Sequence, residues 1–141
     1  MSRPRFQADE LRWAQEVDDH RGRVERFMAQ EPWHRISDPG EPGWAAGGNW
    51  VNYGGTFNDA GFMLDSMGFV HLRGLIKSGV IGNTAFILPP GYRPQASCLL
   101  ATISNSAIGR VDVTPSGQVI PAAPSTNGWV SLDGLTFRAY Q

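Results

Sequence analysis

The spacing of hydrophobic residues along this chain changes near residue 35. Before that point, bulky side chains recur every seven residues in two interleaved series, which are Phe6, Trp13, His20 and Phe27, and Val17 and Val24. A seven-residue repeat is typical of the contact face of a coiled-coil helix. Beyond that point, short apolar stretches are separated by glycine, proline, asparagine and serine, as in β-strands joined by turns. The pattern therefore predicts a short N-terminal coiled-coil-type α-helix followed by a mainly β domain.

The predicted helix is weak as a coiled coil. Pro4 can open it and Pro32 ends it, because proline has no N–H to donate and its ring clashes with the preceding turn. The polar residues Glu10 and His20 lie on the seam, and Gly22 costs about 1 kcal/mol of helix propensity. A helix of this length is marginal in isolation. We therefore expect it to need a partner.

The heptads favour a second copy of the chain as that partner. Glu16 and Arg21 occupy positions that pair between parallel neighbours. We predict a homotrimer whose oligomer seam is formed by Phe6, Trp13, Val17, His20, Val24 and Phe27. Two alternatives remain open: the same stripe packs against the chain's own β domain, or the helix only anchors the chain in another structure.

Eight strands are predicted after the helix. They are Trp50–Tyr53, Gly68–Lys77, Thr84–Leu88, Cys98–Ser104, Gly109–Thr114, Gln118–Pro121, Gly128–Leu132 and Leu135–Ala139. Thr114–Gly117 predicts a hairpin turn, and Asp133-Gly134 is the strongest two-residue hairpin signal in the chain. Many short strands with frequent turns predict an antiparallel β-sandwich or jelly-roll-like head.

These elements divide the chain into three predicted parts. Residues 1–35 form an amphipathic helix for attachment or trimerisation, residues 36–49 form a linker rich in glycine and proline, and residues 50–141 form the β-sandwich head. Turn-forming residues from Ser37 to Gly43 support the linker, because they cannot continue a helix.

Charge divides the chain in the same way. Residues 1–35 carry seven acidic and seven basic side chains, whereas residues 36–141 carry 11 charged side chains. A net charge of −1 argues against a nucleic-acid partner, because phosphate binding requires a basic surface.

No apolar run approaches the ~20 residues that cross a bilayer, and the charged N-terminus lacks the apolar segment of a signal peptide. We expect no membrane insertion and synthesis in a cytoplasm, with Cys98 as a small buried hydrophobe.

Three segments of the predicted head match recurring motifs. Gly68–Gly79 fits G-x-V-x-L-x-G-x-I-x-x-G, Leu88–Pro94 fits L-P-x-G-Y-R-P, and Ser131–Phe137 reads S-L-D-G-L-T-F. In this order they resemble the C-terminal head domains of bacteriophage tail-fibre, minor tail and receptor-binding proteins. The resemblance extends from about Trp50 to Ala139. It implies a trimeric β-structured knob on a virion stem, often one that binds a host cell-surface glycan.

The resemblance implies a function as well as a fold. It implies a virion structural protein, assembled in the host cytoplasm, that forms a short trimeric fibre or spike. Another virion structural protein would receive the helix, and the head would contact host cell-wall polysaccharide. The stem is shorter than in fibre proteins of that kind, so a capsid decoration or head-fibre protein with a purely structural role is the alternative. A carbohydrate-active enzyme module is a more remote alternative.

The segment from Pro89 to Pro94 predicts a rigid corner. Proline fixes φ at three of its positions, and Gly91 leaves φ free at one. We expect Tyr92 to pack its ring at this corner and to satisfy a backbone group with its hydroxyl.

The head offers few residues for catalysis. Its carboxylates are Asp38, Glu41, Asp59, Asp65, Asp112 and Asp133. None forms an evident pair of the kind that glycosidases use. His71 lies in a predicted strand beside Arg73, where a polar or inter-subunit contact is favoured over catalysis. We predict that the protein is not an enzyme and has no catalytic residue, metal site or cofactor.

Aromatic residues in loops favour binding instead. The chain has five tryptophans and three tyrosines, several of them beside glycines. Flat aromatic faces next to asparagine and aspartate suit sugar rings, which present apolar C–H faces and rims of hydroxyls. The candidates for glycan contact are Trp44, Trp50, Tyr53, Asn58, Asp59 and Trp129. For each tryptophan the alternative is a place in the core or in a subunit interface.

Overall fold

A computed structural model of the chain describes residues 14–21, 30–123 and 127–140. The chain divides into two compact units, Met1–Gln30 and Glu31–Gln141. In the first unit residues 14–21 are helical, and Val17 and His20 are exposed on them. The other predicted seam residues lie outside the described residues; they are Phe6, Trp13, Val24 and Phe27. Within the described ranges, no helix is long and apolar enough to cross a membrane.

The described part of the second unit contains two antiparallel sheets. Its strands are β1 (His34–Arg35), β2 (Val51–Asn52), β3 (Gly61–Leu64), β4 (Phe69–Arg73), β5 (Leu75–Lys77), β6 (Phe86–Ile87), β7 (Cys98–Ser104), β8 (Ala107–Val113), β9 (Gln118–Ala123), β10 (Val130–Ser131) and β11 (Thr136–Arg138). One sheet has the order β1-β3-β4-β11, and the other has the order β2-β5-β10-β7-β8-β9-β6. The predicted mainly β, sandwich-like fold is confirmed.

Alternating hydrophobic side chains form the core between the sheets. Burial alternates along β4 and along most of β8, because successive side chains of a strand point to opposite faces. The largest buried side chains include Trp50, Phe62 and Phe86. Trp50 is 1% exposed, and its ring lies against Gly79, where an added Cβ would come within 1.9 Å of the ring. The core thus joins strands and loops of both sheets.

The strands depart from the sequence prediction in three places. The predicted strand Gly68–Lys77 is two strands, β4 and β5, which belong to different sheets. β1 and β3 were not among the predicted strands. In β3 three consecutive residues are buried, so it lacks the alternation by which half-exposed strands are recognised.

The two predicted hairpins have different outcomes. Thr114–Gly117 joins β8 to β9 as predicted, with the Gly117 N–H donating to the Thr114 carbonyl at 2.8 Å. The Asp133-Gly134 prediction is wrong, because β10 and β11 lie in different sheets and do not pair. Leu132 and Leu135, on either side of this turn, are both buried in the core. The turn therefore carries the chain from one sheet to the other.

Two segments cross between the sheets side by side. Gly74, with φ of +117°, separates β4 from β5, and the turn at Asp133 separates β10 from β11. The Gly74 N–H donates to Asp133 Oδ1 at 2.7 Å, and the Leu132 N–H donates to the Gly74 carbonyl at 2.7 Å. We call this pair of segments the crossing. It ties both sheets together at one place.

The segment predicted as a linker, residues 36–49, lies against the β unit. Ile36 is buried, and its N–H donates to the Ala60 carbonyl at 2.9 Å. The Trp44 ring contacts the Phe86 ring edge-on, with centroids 6.1 Å apart. Glycine and proline predict turns here correctly, but composition does not distinguish a free linker from loops that pack on a sheet.

Glu31 and His34 fix the start of the β unit. The Tyr92 hydroxyl donates to Glu31 Oε2 at 2.9 Å, and the Leu64 N–H donates to Glu31 Oε1 at 2.6 Å. His34 Nδ1 lies 2.8 Å from Glu41 Oε1. Burial of His34 opposes its charged form, but the hydrogen bonds and charges of Glu41 and Glu31 outweigh burial and raise its pKa above 6.5.

The Pro89 corner is confirmed, with one difference. The Tyr92 N–H donates to the Pro89 carbonyl at 3.1 Å, and Gly91 has φ of +94°, as at the third residue of a type II turn. The Tyr92 hydroxyl, however, contacts the Glu31 carboxylate instead of a backbone group. Burial, followed by the hydrogen bond to Glu31, raises the pKa of Tyr92 to about 12.

We predict that Gly74→Ala lowers the free energy of unfolding by about 3 kcal/mol or more. A Cβ at Gly74 would lie 2.6 Å from the Ala60 backbone, and its φ is unfavourable for alanine. Gly82→Ala is the control, because Gly82 has φ of +91° but no neighbouring atom within 4 Å. Denaturant unfolding of both variants measures the difference. Equal losses of unfolding free energy in Gly74→Ala and Gly82→Ala would show that the crossing tolerates a side chain at Gly74.

We predict that the Glu41 carboxylate stabilises the fold in a pH-dependent way through His34. Because the pKa of His34 is raised, this contribution is full below pH 6.5 and is lost as the pH rises through the folded-state pKa. The stability difference between wild type and Glu41→Gln should therefore shrink as the pH rises above 6.5 and through the raised pKa of His34. Asp38→Asn is the control, because Asp38 pairs with Arg35, which stays charged throughout. A Glu41→Gln difference that does not vary with pH would contradict the pairing.

Candidate functional site

A cleft of about 320 Å³ opens on the β unit beside the crossing. Its lining residues are Tyr53, Phe57, Leu75, Ile103, Trp129, Ser131 and Asp133. Leu75 directly follows Gly74, and Asp133 bonds to Gly74, so two walls are held by the crossing. The volume lies at the lower end of the range for small-molecule sites. Aromatic and aliphatic surface predominates, with a carboxylate and a hydroxyl among it.

Two aromatic rings on one loop form one wall of the cleft. The Tyr53 and Phe57 rings meet edge to face, with centroids 5.4 Å apart and planes at 90°. The loop is attached to β5 because the Tyr53 N–H donates to the Leu75 carbonyl at 2.8 Å. Lys77 Nζ lies 5.2 Å from the Tyr53 ring centroid, a cation–π distance. Both rings remain substantially exposed, Tyr53 at 40% and Phe57 at 51%.

The β7–β8 hairpin holds Trp129 in the cleft lining. Asn105 and Ser106 connect β7 to β8 with φ of +51° and +64°, which are the angles of a type I′ turn. Asn105 Oδ1 accepts a hydrogen bond from the Trp129 N–H at 3.0 Å, and the Ser104 hydroxyl donates to the Trp129 carbonyl at 2.9 Å. At Gly128 a Cβ would lie 2.2 Å from Asn105 Oδ1. Only glycine allows this close approach.

The polar residues of the cleft are fixed by the backbone. Asp133 Oδ1 accepts from the Gly74 N–H, and the Asp133 N–H donates to the Ser131 hydroxyl at 3.2 Å. The Ser131 carbonyl accepts from the Thr102 hydroxyl at 2.6 Å. Asp133 is exposed, so its carboxylate can also accept a hydrogen bond from a ligand hydroxyl. The hydrogen bond from the Gly74 N–H therefore fixes the position of the Asp133 carboxylate before a ligand binds.

The structure brings together two of the six glycan candidates, Tyr53 and Trp129. Trp50 is buried under Gly79 and has no free ring face, so it belongs to the core. Trp44 is half-buried against Phe86. Asn58 and Asp59 are outside the cleft lining: the Asn58 carbonyl accepts from the Leu75 N–H, and Asp59 Oδ2 lies 3.7 Å from Arg35.

Five lining residues were missed by the sequence reasoning. They are Phe57, Leu75, Ile103, Ser131 and Asp133. Phe57 had a usable signal, because it lies in the same Gly-rich loop as Tyr53. Asp133 was interpreted only as a hairpin-turn residue, so its position in the cleft lining was not predicted. The others join the cleft through sheet pairing between distant strands.

Asp65, His71 and Thr136 form a polar chain on the outer face of the smaller sheet. His71 Nε2 lies 2.7 Å from Asp65 Oδ2, and His71 Nδ1 lies 3.1 Å from the Thr136 hydroxyl. Asp65 Oδ1 also accepts from the N–H groups of Met67 and Phe69. The hydrogen bond from His71, with those backbone bonds, lowers the pKa of Asp65. The trio thus fixes the β3–β4 turn on a sheet surface, whereas the Tyr53–Trp129 cleft is concave.

No family model and no curated protein matches this chain. Among solved structures, it matches the receptor binding protein (gp15) of Listeria phage PSA with a TM-score of 0.75 and 12% sequence identity. The match covers 96% of this chain and 80% of the phage protein. The two proteins share a fold. At this identity the likeness concerns the fold alone, and it agrees with the phage head domain implied by the motifs.

We predict that Asn105→Gly loosens Trp129 and lowers the free energy of unfolding by about 1–2 kcal/mol. Glycine keeps the positive φ of the turn but removes the oxygen that accepts from the Trp129 N–H. Ser106→Gly is the matched control, because it changes the neighbouring turn position, also at positive φ, without touching that bond. Denaturant unfolding and amide hydrogen exchange at Trp129 measure both effects. Unchanged exchange in Asn105→Gly would contradict the role of Asn105.

Proposed function

We propose that this protein is a bacteriophage virion component whose β head binds a host cell-surface glycan in the Tyr53–Trp129 cleft. The observation that carries the proposal is the convergence of Tyr53, Phe57 and Trp129 around one concave site that also holds the Asp133 carboxylate. Tyr53 and Phe57 come from one loop and Trp129 comes from another. Their meeting is a property of the folded chain.

The chemistry of the cleft suits a sugar. The apolar C–H face of a sugar ring can pack on the exposed faces of Tyr53 or Trp129. Its hydroxyls can donate to Asp133, which the Gly74 N–H holds in place, and can exchange hydrogen bonds with Ser131. A prearranged carboxylate loses little conformational entropy on binding. An apolar ligand without hydroxyls would cover the exposed part of the Asp133 carboxylate without donating a hydrogen bond to it, which disfavours such a ligand.

The fold likeness supports the placement on a virion. The phage protein that shares this fold is a receptor binding protein, and the head motifs resemble phage fibre and receptor-binding heads. A receptor-binding role needs an exposed site, and the cleft is lined by the exposed rings of Tyr53 and Phe57 and the partly exposed ring of Trp129. It needs no catalytic step, so we propose a binding protein and not an enzyme.

The proposed assembly is a homotrimer attached through its N-terminal helix. The heptad stripe from Phe6 to Phe27 would join the copies or enter another virion structural protein. The head would then project toward the host cell wall. Three cleft copies on one spike would raise the avidity for a repeating polysaccharide well above that of one cleft.

We predict that the protein binds at least one member of an array of purified bacterial cell-wall polysaccharides. Tyr53→Ala and Trp129→Ala should each weaken that binding about tenfold or more, because each removes an aromatic face from the ligand. Calorimetric titration with the polysaccharide selected on the array measures the affinities. Trp129→Phe should retain part of the affinity, because a smaller ring face remains.

The matched control is Tyr140→Ala. Tyr140 is 62% exposed but is not part of the cleft lining, so its removal should leave binding unchanged. Equal losses in Tyr53→Ala and Tyr140→Ala would locate the binding elsewhere. Absence of binding across the array would contradict the receptor role and favour a structural virion protein.

A further inference from the structure

The outer face of the seven-stranded sheet carries several exposed apolar side chains. Burial alternates along β7, and its exposed members include Leu99 at 66% and Ile103 at 51%. Ile103 pairs directly with Ile108 of β8, which is 79% exposed. On β6 the outward residue Ile87 is 44% exposed. We call the surface formed by Ile87, Leu99, Ala101, Ile103 and Ile108 the outer apolar face.

This composition is unusual for a sheet face in water. An antiparallel sheet with one solvated face normally places polar side chains on it. Single exposed hydrophobic residues are common, but a contiguous group on paired strands indicates an interaction site. The smaller sheet shows the contrast, because its outer face carries Asp65, His71 and Thr136.

The charges on the face favour a neutral partner. Arg110 and Asp112 lie on it, opposite Ala101 and Leu99. Arg110 Nε donates to Asp112 Oδ1 at 2.8 Å and its Nη2 donates to Oδ2 at 3.1 Å, so the two charges compensate each other. A strongly acidic or basic partner would find no complementary charge here. Three copies of this balanced, apolar surface can face one another around a three-fold axis, as the proposed homotrimer requires.

The area of the outer apolar face is too small for a stable interface by itself, so this contact would act together with a second contact between the copies. Its two longest strands, β7 and β8, have seven residues and are roughly 23 Å long, and the four neighbouring strands β7-β8-β9-β6 span roughly 14 Å. The resulting area is at most roughly 320 Å², which is about 40% of one partner's share of a standard interface. Such a contact is weak alone but becomes effective when a second contact, such as the predicted heptad seam, holds the copies together.

We propose that the outer apolar face is the contact between the β heads of neighbouring copies of this chain. The proposal rests on the homo-oligomeric assembly in the proposed function. Ile103 belongs both to this face and to the cleft lining. A neighbouring copy would therefore border the glycan cleft, so that assembly extends the wall beside Ile103.

The test is the oligomeric state of the full chain with Leu99→Thr and Ile108→Thr combined. Neither residue lines the cleft, and threonine keeps the β propensity of these largely exposed positions. The wild type should sediment as an oligomer, and the midpoint concentration for assembly of the double variant should rise at least about 100-fold. The control combines Met67→Thr and Val80→Thr, which are exposed apolar residues outside the face, and should assemble like the wild type. Circular dichroism checks that the fold is kept.

Two results would overturn the proposal. The first is a monomeric wild type, and the second is a double variant that assembles like the wild type. The polysaccharide array is independent: an oligomer that binds no glycan refutes the proposed glycan-binding role alone. A glycan-binding monomer refutes the interface and the proposed homotrimer but leaves the glycan-binding role in place.

Discussion

The arrangement of both sheets depends on the hydrogen bond between the Gly74 N–H and the Asp133 carboxylate. It joins the two places where the chain passes from one sheet to the other, β4 to β5 and β10 to β11. Gly74 is buried, so its N–H would cost free energy if it had no acceptor. Its positive φ and its contact with the Ala60 backbone exclude a side chain. A single glycine and a single carboxylate thus hold the strands that build the rest of the head.

The cleft is a consequence of this crossing. Leu75 begins β5 and Ser131 ends β10, so the residues next to the crossing become walls of the cleft. The rings of Tyr53, Phe57 and Trp129 are then added by loops that are hydrogen-bonded to this frame. A rigid sheet with functional side chains on its loops separates stability from recognition. Substitutions of these loop side chains can therefore change the cleft without disturbing the crossing.

The outer faces of the two sheets differ in chemistry. The smaller sheet presents a connected polar chain of Asp65, His71 and Thr136, whereas the larger sheet presents Leu99, Ile103 and Ile108. Both sheets contribute side chains to one core, so the difference is confined to the residues that do not face it. One outer surface is therefore polar, whereas the other carries several exposed aliphatic side chains. The cleft lies at the edge of the second surface, through Ile103.

The sequence alone determined the mainly β fold, strand β7 and the Thr114–Gly117 hairpin, because alternation and turn chemistry are local properties. It also indicated Tyr53 and Trp129, since aromatic residues beside loop glycines are visible in a linear chain. Only the tertiary structure decided that Asp133-Gly134 joins two sheets and that Trp50 is buried. Tertiary packing also selected Leu75, Ile103 and Asp133 as neighbours in one cleft. These outcomes depend on which distant strands pair and on which side of a strand the core forms, and local residue patterns do not carry that information.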